Sequence, residues 1–238
     1  MSRSGAALEA ILAATADFPG RSGDRPGAVV GPTPSFVSNR FARIGAAFLS
    51  RTVANDKIVK ILAKLDESGL IEADAIASAS ANELIDVLAE AKLALAIPAA
   101  KLLVKIAAWY VDLCEDDSNA IDDASTSRLR DSLIAIKGLG AATADAILLF
   151  GLDRPAYPVD RSTYRIFVRH GYFDSSVDYD EARSTIEALA HEEPALLATL
   201  SIRLEAIGRE FCKPAAARCE RCPLAPLLPE RGPYEIES

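Results

Sequence analysis

Three cysteines crowd one short stretch, Cys212, Cys219 and Cys222, at C-x6-C-x2-C spacing, and a carboxylate, Asp160, stands at the mouth of a helical run. Thiols so close together serve as ligands to a metal or cluster, or as apolar filler of a packed loop. A carboxylate held at a helix start can cap the helix, orient a water, or stabilise positive charge that develops during a reaction. The fourth cysteine, Cys114, lies far upstream, and only two histidines exist, His170 and His191. That scarcity argues against a histidine-rich metal centre and against a serine-histidine-aspartate hydrolase, so acid and base work falls to carboxylates.

The elements that must position these groups read as helices. The chain has 238 residues, 50% of them hydrophobic, with mean hydropathy +0.14, enough to bury a sizeable core in one or two domains. Apolar residues recur at helical spacing, as in Phe41, Ile44, Phe48 and Leu49, or Ile58, Ile61, Leu62 and Leu65, and sustained strand-like alternation is absent. Further helices are expected over 81–91, 99–114, 125–136, 141–151, 161–170, 179–191 and 194–211. Ser125 suits a cap, Pro194 a first helical position, and Asp178, Asp180 and Glu181 a helix start. The fold class is all-α.

Between two of these helices stands Ile136-Lys137-Gly138-Leu139-Gly140-Ala141-Ala142-Thr143-Ala144. A helix ending near 136, a glycine turn and a second helix from about 141 make a helix-hairpin-helix. Glycines there permit unusual dihedrals and let the backbone approach a ligand closely, and amides at the second helix start can take a phosphate oxygen. An ordinary corner with glycine as helix stop fits the turn equally well.

Twenty residues after Gly140 comes Asp160, in Tyr157-Pro158-Val159-Asp160-Arg161-Ser162-Thr163-Tyr164-Arg165. The combination I-K-G-L-G-A-A-T-A, Pro155, Val159-Asp160 and Arg165 resembles the HhH-GPD superfamily of base-excision repair glycosylases, most closely its endonuclease III branch. The likeness covers about residues 38–224 and is strongest over 133–170. It implies a two-lobed helical fold holding double-stranded DNA in the cleft between the lobes, with Lys137, Gly138, Leu139, Gly140 and Thr143 at the DNA and Asp160 catalytic on a flipped nucleotide. Bifunctional members carry a lysine at the position of Ala142, which forms a Schiff base with the sugar. Its absence implies a monofunctional glycosylase that uses water and has no lyase step. Weaker likenesses place Arg51 or Thr52 and an apolar wedge, Ile97, at DNA, against the plainer readings of a solvated Arg51 and a core Ile97.

The cysteine stretch resembles the loop that holds a 4Fe-4S cluster in that branch, at C-x6-C-x2-C-x5-C. Cys212, Cys219 and Cys222 match the first three ligands, and the fourth position is Leu228. A cluster short of one thiolate, a zinc ion with another donor, and a metal-free loop all remain open.

The net charge of −8 and pI near 4.9 ordinarily count against nucleic acid as partner. The distribution is uneven: residues 128–172 carry +3 and 201–222 carry +2, so a locally basic face on an acidic body is expected. Two competing functions follow from the departures and from the acidic total: a non-catalytic binder of DNA structures and a protein-interaction scaffold. Residues 19–34 hold eight Gly or Pro, and 1–35 are expected to form a flexible extension, 36–224 the glycosylase-like domain and 225–238 a tail. No stretch reaches the roughly 18 apolar residues of a membrane span. Glu9 and Asp17 interrupt the apolar N-terminal stretch, so a cytoplasmic protein without a secretory signal is expected.

Overall fold

A computed structural model of the chain describes residues 3–16 and 38–235. Among the described residues there are helices and turns and no strand, so the fold is all-α. The chain divides into two compact units, Gly23–Arg154 and Met1–Ser22 with Pro155–Ser238. Helices are numbered along the chain, and α1, Arg3–Ala14, belongs to the second unit.

The first unit runs through α2 (Arg40–Leu49), α3 (Asn55–Glu67), α4 (Ala73–Ser78), α5 (Ala81–Glu90), α6 (Ile97–Cys114), α7 (Ala120–Asp123), α8 (Thr126–Ile134) and α9 (Ala141–Ala146). Local sequence sets the starts. The Asn39 side chain accepts from the Ala42 amide at 3.0 Å, Ser80 and Glu83 form a reciprocal capping box, and Ser125 accepts from the Arg128 amide; each such cap stabilises its helix by about 1 kcal/mol. Helix α2 is buried along most of its length, through Phe41, Ile44, Phe48 and Leu49.

The helix expected over 141–151 changes pitch partway. After α9 the chain widens into a π turn, Ile147–Gly151, all five residues of which are buried. Its last residue lies against α2 so closely that a Cβ at Gly151 would stand 3.0 Å from the Ile44 Cα. Wider pitch is one way for a helix to fit such a contact without losing its backbone bonds.

The second unit contains α10 (Arg161–Arg169), α11 (Tyr179–Leu189), α12 (Pro194–Glu210) and two short 3-10 turns, Cys219–Arg221 and Ala225–Leu227. Residues 3–14 depart from the expected flexible extension, because Leu8 and Ile11 are buried there and Arg203 on α12 donates to the Leu12 carbonyl at 3.2 Å and to Thr15 Oγ1 at 3.3 Å. The Gly- and Pro-rich stretch 19–34 lies outside the described residues. The expected tail is engaged too: the Tyr234 amide donates to the Arg169 carbonyl at 3.0 Å. No described helix is long and apolar enough to cross a membrane.

Candidate functional site

Asp160 caps α10. Its backbone is extended and its Oδ1 accepts from the Thr163 amide at 2.6 Å, because a short carboxylate at the residue before a helix reaches back to the unpaired amides of the first turn. Thr163 continues inward: its Oγ1 shares a hydrogen bond of 3.1 Å with the Tyr157 hydroxyl. Tyr157 is fully buried. Burial, with the Asp160 charge nearby, pushes its phenol well above the ordinary tyrosine value, so it stays a neutral hydrogen-bonding group. The Tyr157 amide donates to Glu187 Oε1 at 2.8 Å, and Arg183 on the same helix holds that carboxylate at 2.8 and 3.0 Å. The segment leading into Asp160 is thereby tied to α11 by a buried, charge-assisted set of bonds.

From the opposite side, α12 sets the position of the α10 start. A Cβ at Gly208 would fall 2.2 Å from the Ser162 Cβ and 3.1 Å from its Cα, so only glycine lets the two helices approach this closely. Beside Asp160 lies an open pocket of about 450 Å³, lined by Asp160, Arg161, Tyr164, Arg165, Asp178 and Tyr179 among others. A second carboxylate on this lining, Asp178, caps α11 through the Glu181 amide at 2.9 Å. Two tyrosines, two arginines and two carboxylates offer aromatic faces, phosphate-binding donors and an acid-base group within one pocket.

The hairpin belongs to the first unit. Lys137, Gly138 and Gly140 are exposed, Thr143 is half-buried, and Leu139 is 6% exposed, so Leu139 anchors the turn in the core. The glycines divide the labour. Gly138 has φ +101°, which requires glycine; Gly140 has φ −85°, which does not, and a Cβ there would meet nothing within 4 Å. The open side of Gly140 leaves room for a ligand at the amides that precede the first helical bond, which runs from Thr143 and Ala144 to the Gly140 carbonyl. Arg130 holds the hairpin from behind, donating to the fully buried Asp145 at 2.7 and 3.3 Å. A further cation is in place as well, Lys105, whose Nζ donates to the Lys137 carbonyl. Ile97 is 53% exposed at the start of α6, which replaces the expectation of a core residue. Arg51 is exposed.

The cysteine loop is pinned to α10 by arginines. Arg165 Nε donates to the Cys212 carbonyl at 3.0 Å, and Arg169 donates to Cys212 Sγ at 3.1 Å and to the carbonyls of Lys213 and Pro214. All four cysteines are free. Burial pushes the Cys219 and Cys222 thiols up from their ordinary values. Cys212, Cys219, Cys222, His170 and Leu228 line one small cavity of about 10 Å³, roughly the room of a single water. Among the described residues no three His, Cys, Asp or Glu side chains already converge as a metal-binding group. A four-iron cluster needs four thiolates and much more space. With Leu228 at the fourth corner, the residues present do not fit it.

No protein-family model matches the chain. It is 32% identical over 185 residues to endonuclease III of Sulfolobus acidocaldarius, spanning 77% of this chain and 79% of that protein. A Methanocaldococcus jannaschii protein that carries the name of a DNA repair glycosylase is 33% identical over 102 residues, spanning 43% of this chain and 46% of the relative, less than half its length. Among solved structures, an endonuclease III in a non-covalent complex with DNA superposes with TM-score 0.66 at 20% identity, over 97% of both chains. The fold is therefore that of the HhH-GPD glycosylases.

Proposed function

This chain belongs to the endonuclease III family of DNA repair glycosylases, and we propose that within it the protein is monofunctional: it binds double-stranded DNA, takes a damaged or mismatched base out of the stack, and cleaves the N-glycosidic bond with water. The observation that carries this reading is the position of Asp160 on the lining of an open pocket of about 450 Å³, with one carboxylate oxygen fixed by the Thr163 amide.

As the bond from sugar to base stretches, the base departs with the electron pair and positive charge spreads over the sugar. Asp160 stabilises that charge and accepts a proton from the water whose oxygen bonds to the sugar carbon. Arg161, Tyr164 and Tyr179 on the same lining supply a phosphate donor and stacking faces. The hairpin, through Lys137, Gly138, Leu139 backbone, Gly140 and Thr143, holds a phosphate of the same DNA, and exposed Ile97 acts as an apolar wedge between bases. Ala142 offers no amine to the sugar, so the abasic product stays uncleaved. The reducing cytoplasm suits a chain whose four cysteines are all free.

Duplexes carrying uracil, oxidised, alkylated or mismatched bases test the proposal when the strands are resolved with and without hot alkali. Cleavage seen only after alkali supports it and identifies the base. Cleavage without alkali assigns a lyase step instead. Binding without product on any duplex assigns the second reading, a non-catalytic binder of DNA structures, which the missing lysine at Ala142 favours.

A further inference from the structure

We infer that one face of α6 is a track for the sugar-phosphate backbone of a duplex, running from Ile97 to the hairpin through Lys101 and Lys105. The inference rests on the duplex-binding reading above and adds to it two phosphate-binding residues that lie outside the hairpin.

Spacing supplies the first observation. Ile97, Lys101 and Lys105 stand four residues apart on α6, so they share one face of the helix. All three are exposed, while Ala100, Leu103, Ile106 and Ala107 are buried on the side that meets the core. Eight residues of helix advance about 12 Å, and a duplex strand presents one phosphate per about 3.4 Å of its axis. The face is therefore long enough to follow several phosphates. No acid interrupts it between Ile97 and Lys105, since the first carboxylate of the helix is Asp112.

The second observation is the absence of neutralising charge. The chain has 34 acids against 26 Lys and Arg, and several surface cations sit beside a carboxylate, as Arg40 does beside Asp122, Lys64 beside Glu90 and Arg209 beside Glu205. Lys101 and Lys105 have no ion-pair partner among the described residues. Cations left unneutralised on one face suit a polyanion, because each phosphate they neutralise releases its condensed counterions.

Third, α6 and the hairpin make one surface. Lys105 Nζ donates to the Lys137 carbonyl at 3.1 Å, and a Cβ at Gly138 would stand 3.5 Å from Leu102 Cδ2, so α6 packs against the turn. An ammonium has three donors. One of those on Lys105 meets the carbonyl, which leaves two for a phosphate next to the one at the hairpin amides. The same bond restrains a long side chain before binding, so less freedom is lost when the phosphate arrives. Lys101, one turn back along α6, extends the row of cations toward Ile97.

The full chain is titrated into a fluorescein-labelled duplex carrying a tetrahydrofuran abasic-site analogue, with anisotropy read over a range of potassium chloride. Lys101→Gln and Lys105→Gln remove the charge and keep a side-chain donor. Each is expected to reduce the slope of log affinity against log salt by about 1, and the two together by about 2. Lys101→Arg combined with Lys105→Arg is expected to keep the wild-type slope. Lys64→Ala, which removes a cation already 3.5 Å from Glu90, is expected to leave it unchanged; circular dichroism checks that every variant is folded. A double glutamine variant with the wild-type slope overturns the track and leaves duplex binding standing. An equal loss of slope in Lys64→Ala also overturns it, by assigning the effect to net charge. A wild-type chain that does not bind the duplex overturns the duplex-binding reading and the track with it.

Discussion

Gly208 of α12 faces Ser162 of α10 at a distance that excludes any side chain: a Cβ at 208 would lie 2.2 Å from the Ser162 Cβ and 2.6 Å from its Oγ. Because Ser162 stands two residues after Asp160, this contact sets where the capping carboxylate points. Gly208→Ala is expected to destabilise the fold by about 1–3 kcal/mol through overpacking, and to slow base release by displacing the first turn of α10. Adding Ser162→Gly removes the two closest atoms, Cβ and Oγ, and leaves only the Cα at 3.1 Å, so it is expected to restore much of both losses. Urea unfolding and single-turnover kinetics on the four proteins of this double-mutant cycle measure the coupling; additive losses would show that the contact does not set the site.

Replacing Asp160 separates its cap on α10 from its proposed part in the reaction. Asparagine caps helices about as well as aspartate but neither stabilises positive charge nor accepts a proton. Asp160→Asn is expected to lower base release at least about a hundredfold, with duplex affinity and thermal midpoint nearly unchanged. Equal activity in the variant would remove Asp160 from the reaction.

Glu187 acts through the backbone. It accepts from the Tyr157 amide and from Arg183, and Glu187→Ala leaves the Tyr157 amide unpaired in a buried place and Arg183 with Asp180, 3.5 Å away. The expected cost is about 1–3 kcal/mol or more, read from denaturant unfolding. Glu187→Gln keeps an acceptor and is expected to lose less. If the two variants lose the same amount, the amide bond contributes nothing.

On the proposed reaction, an amine at position 142 would be the chemical difference between hydrolysis and lyase action. Wild-type protein is expected to give no borohydride-trapped complex with substrate DNA, and Ala142→Lys is expected to give one, seen as a band of reduced mobility on a denaturing gel. Trapping by the wild type would show that another amine serves.

The proposed hairpin contacts to phosphate would carry a salt signature. Lys137→Ala is expected to weaken duplex binding uniformly across sequences and to reduce the slope of log affinity against log salt by about 1. An unchanged slope would place Lys137 in solvent.

Much of this protein is legible along the chain, and the reason is range. Helical periodicity, the caps at Ser125, Asp160 and Asp178, and the glycine that a positive φ demands at 138 are all settled by residues within a few positions of one another, so residue order suffices to find them. The G-L-G hairpin, Asp160 and the three cysteines are local patterns in the same sense. The N-terminal helix is not legible along the chain, because its glycine- and proline-rich neighbour dominates the composition while its place is held by Arg203 and by the core in which Leu8 and Ile11 lie. What holds Asp160 in place is set at a distance. Glu187 meets the Tyr157 amide across 30 positions, Arg169 meets Cys212 across 43, and Gly208 meets Ser162 across 46, each through packing that no local spacing encodes. The small cavity lined by His170, Cys212, Cys219 and Cys222 likewise exists only once α10 and the cysteine loop are brought together by the fold.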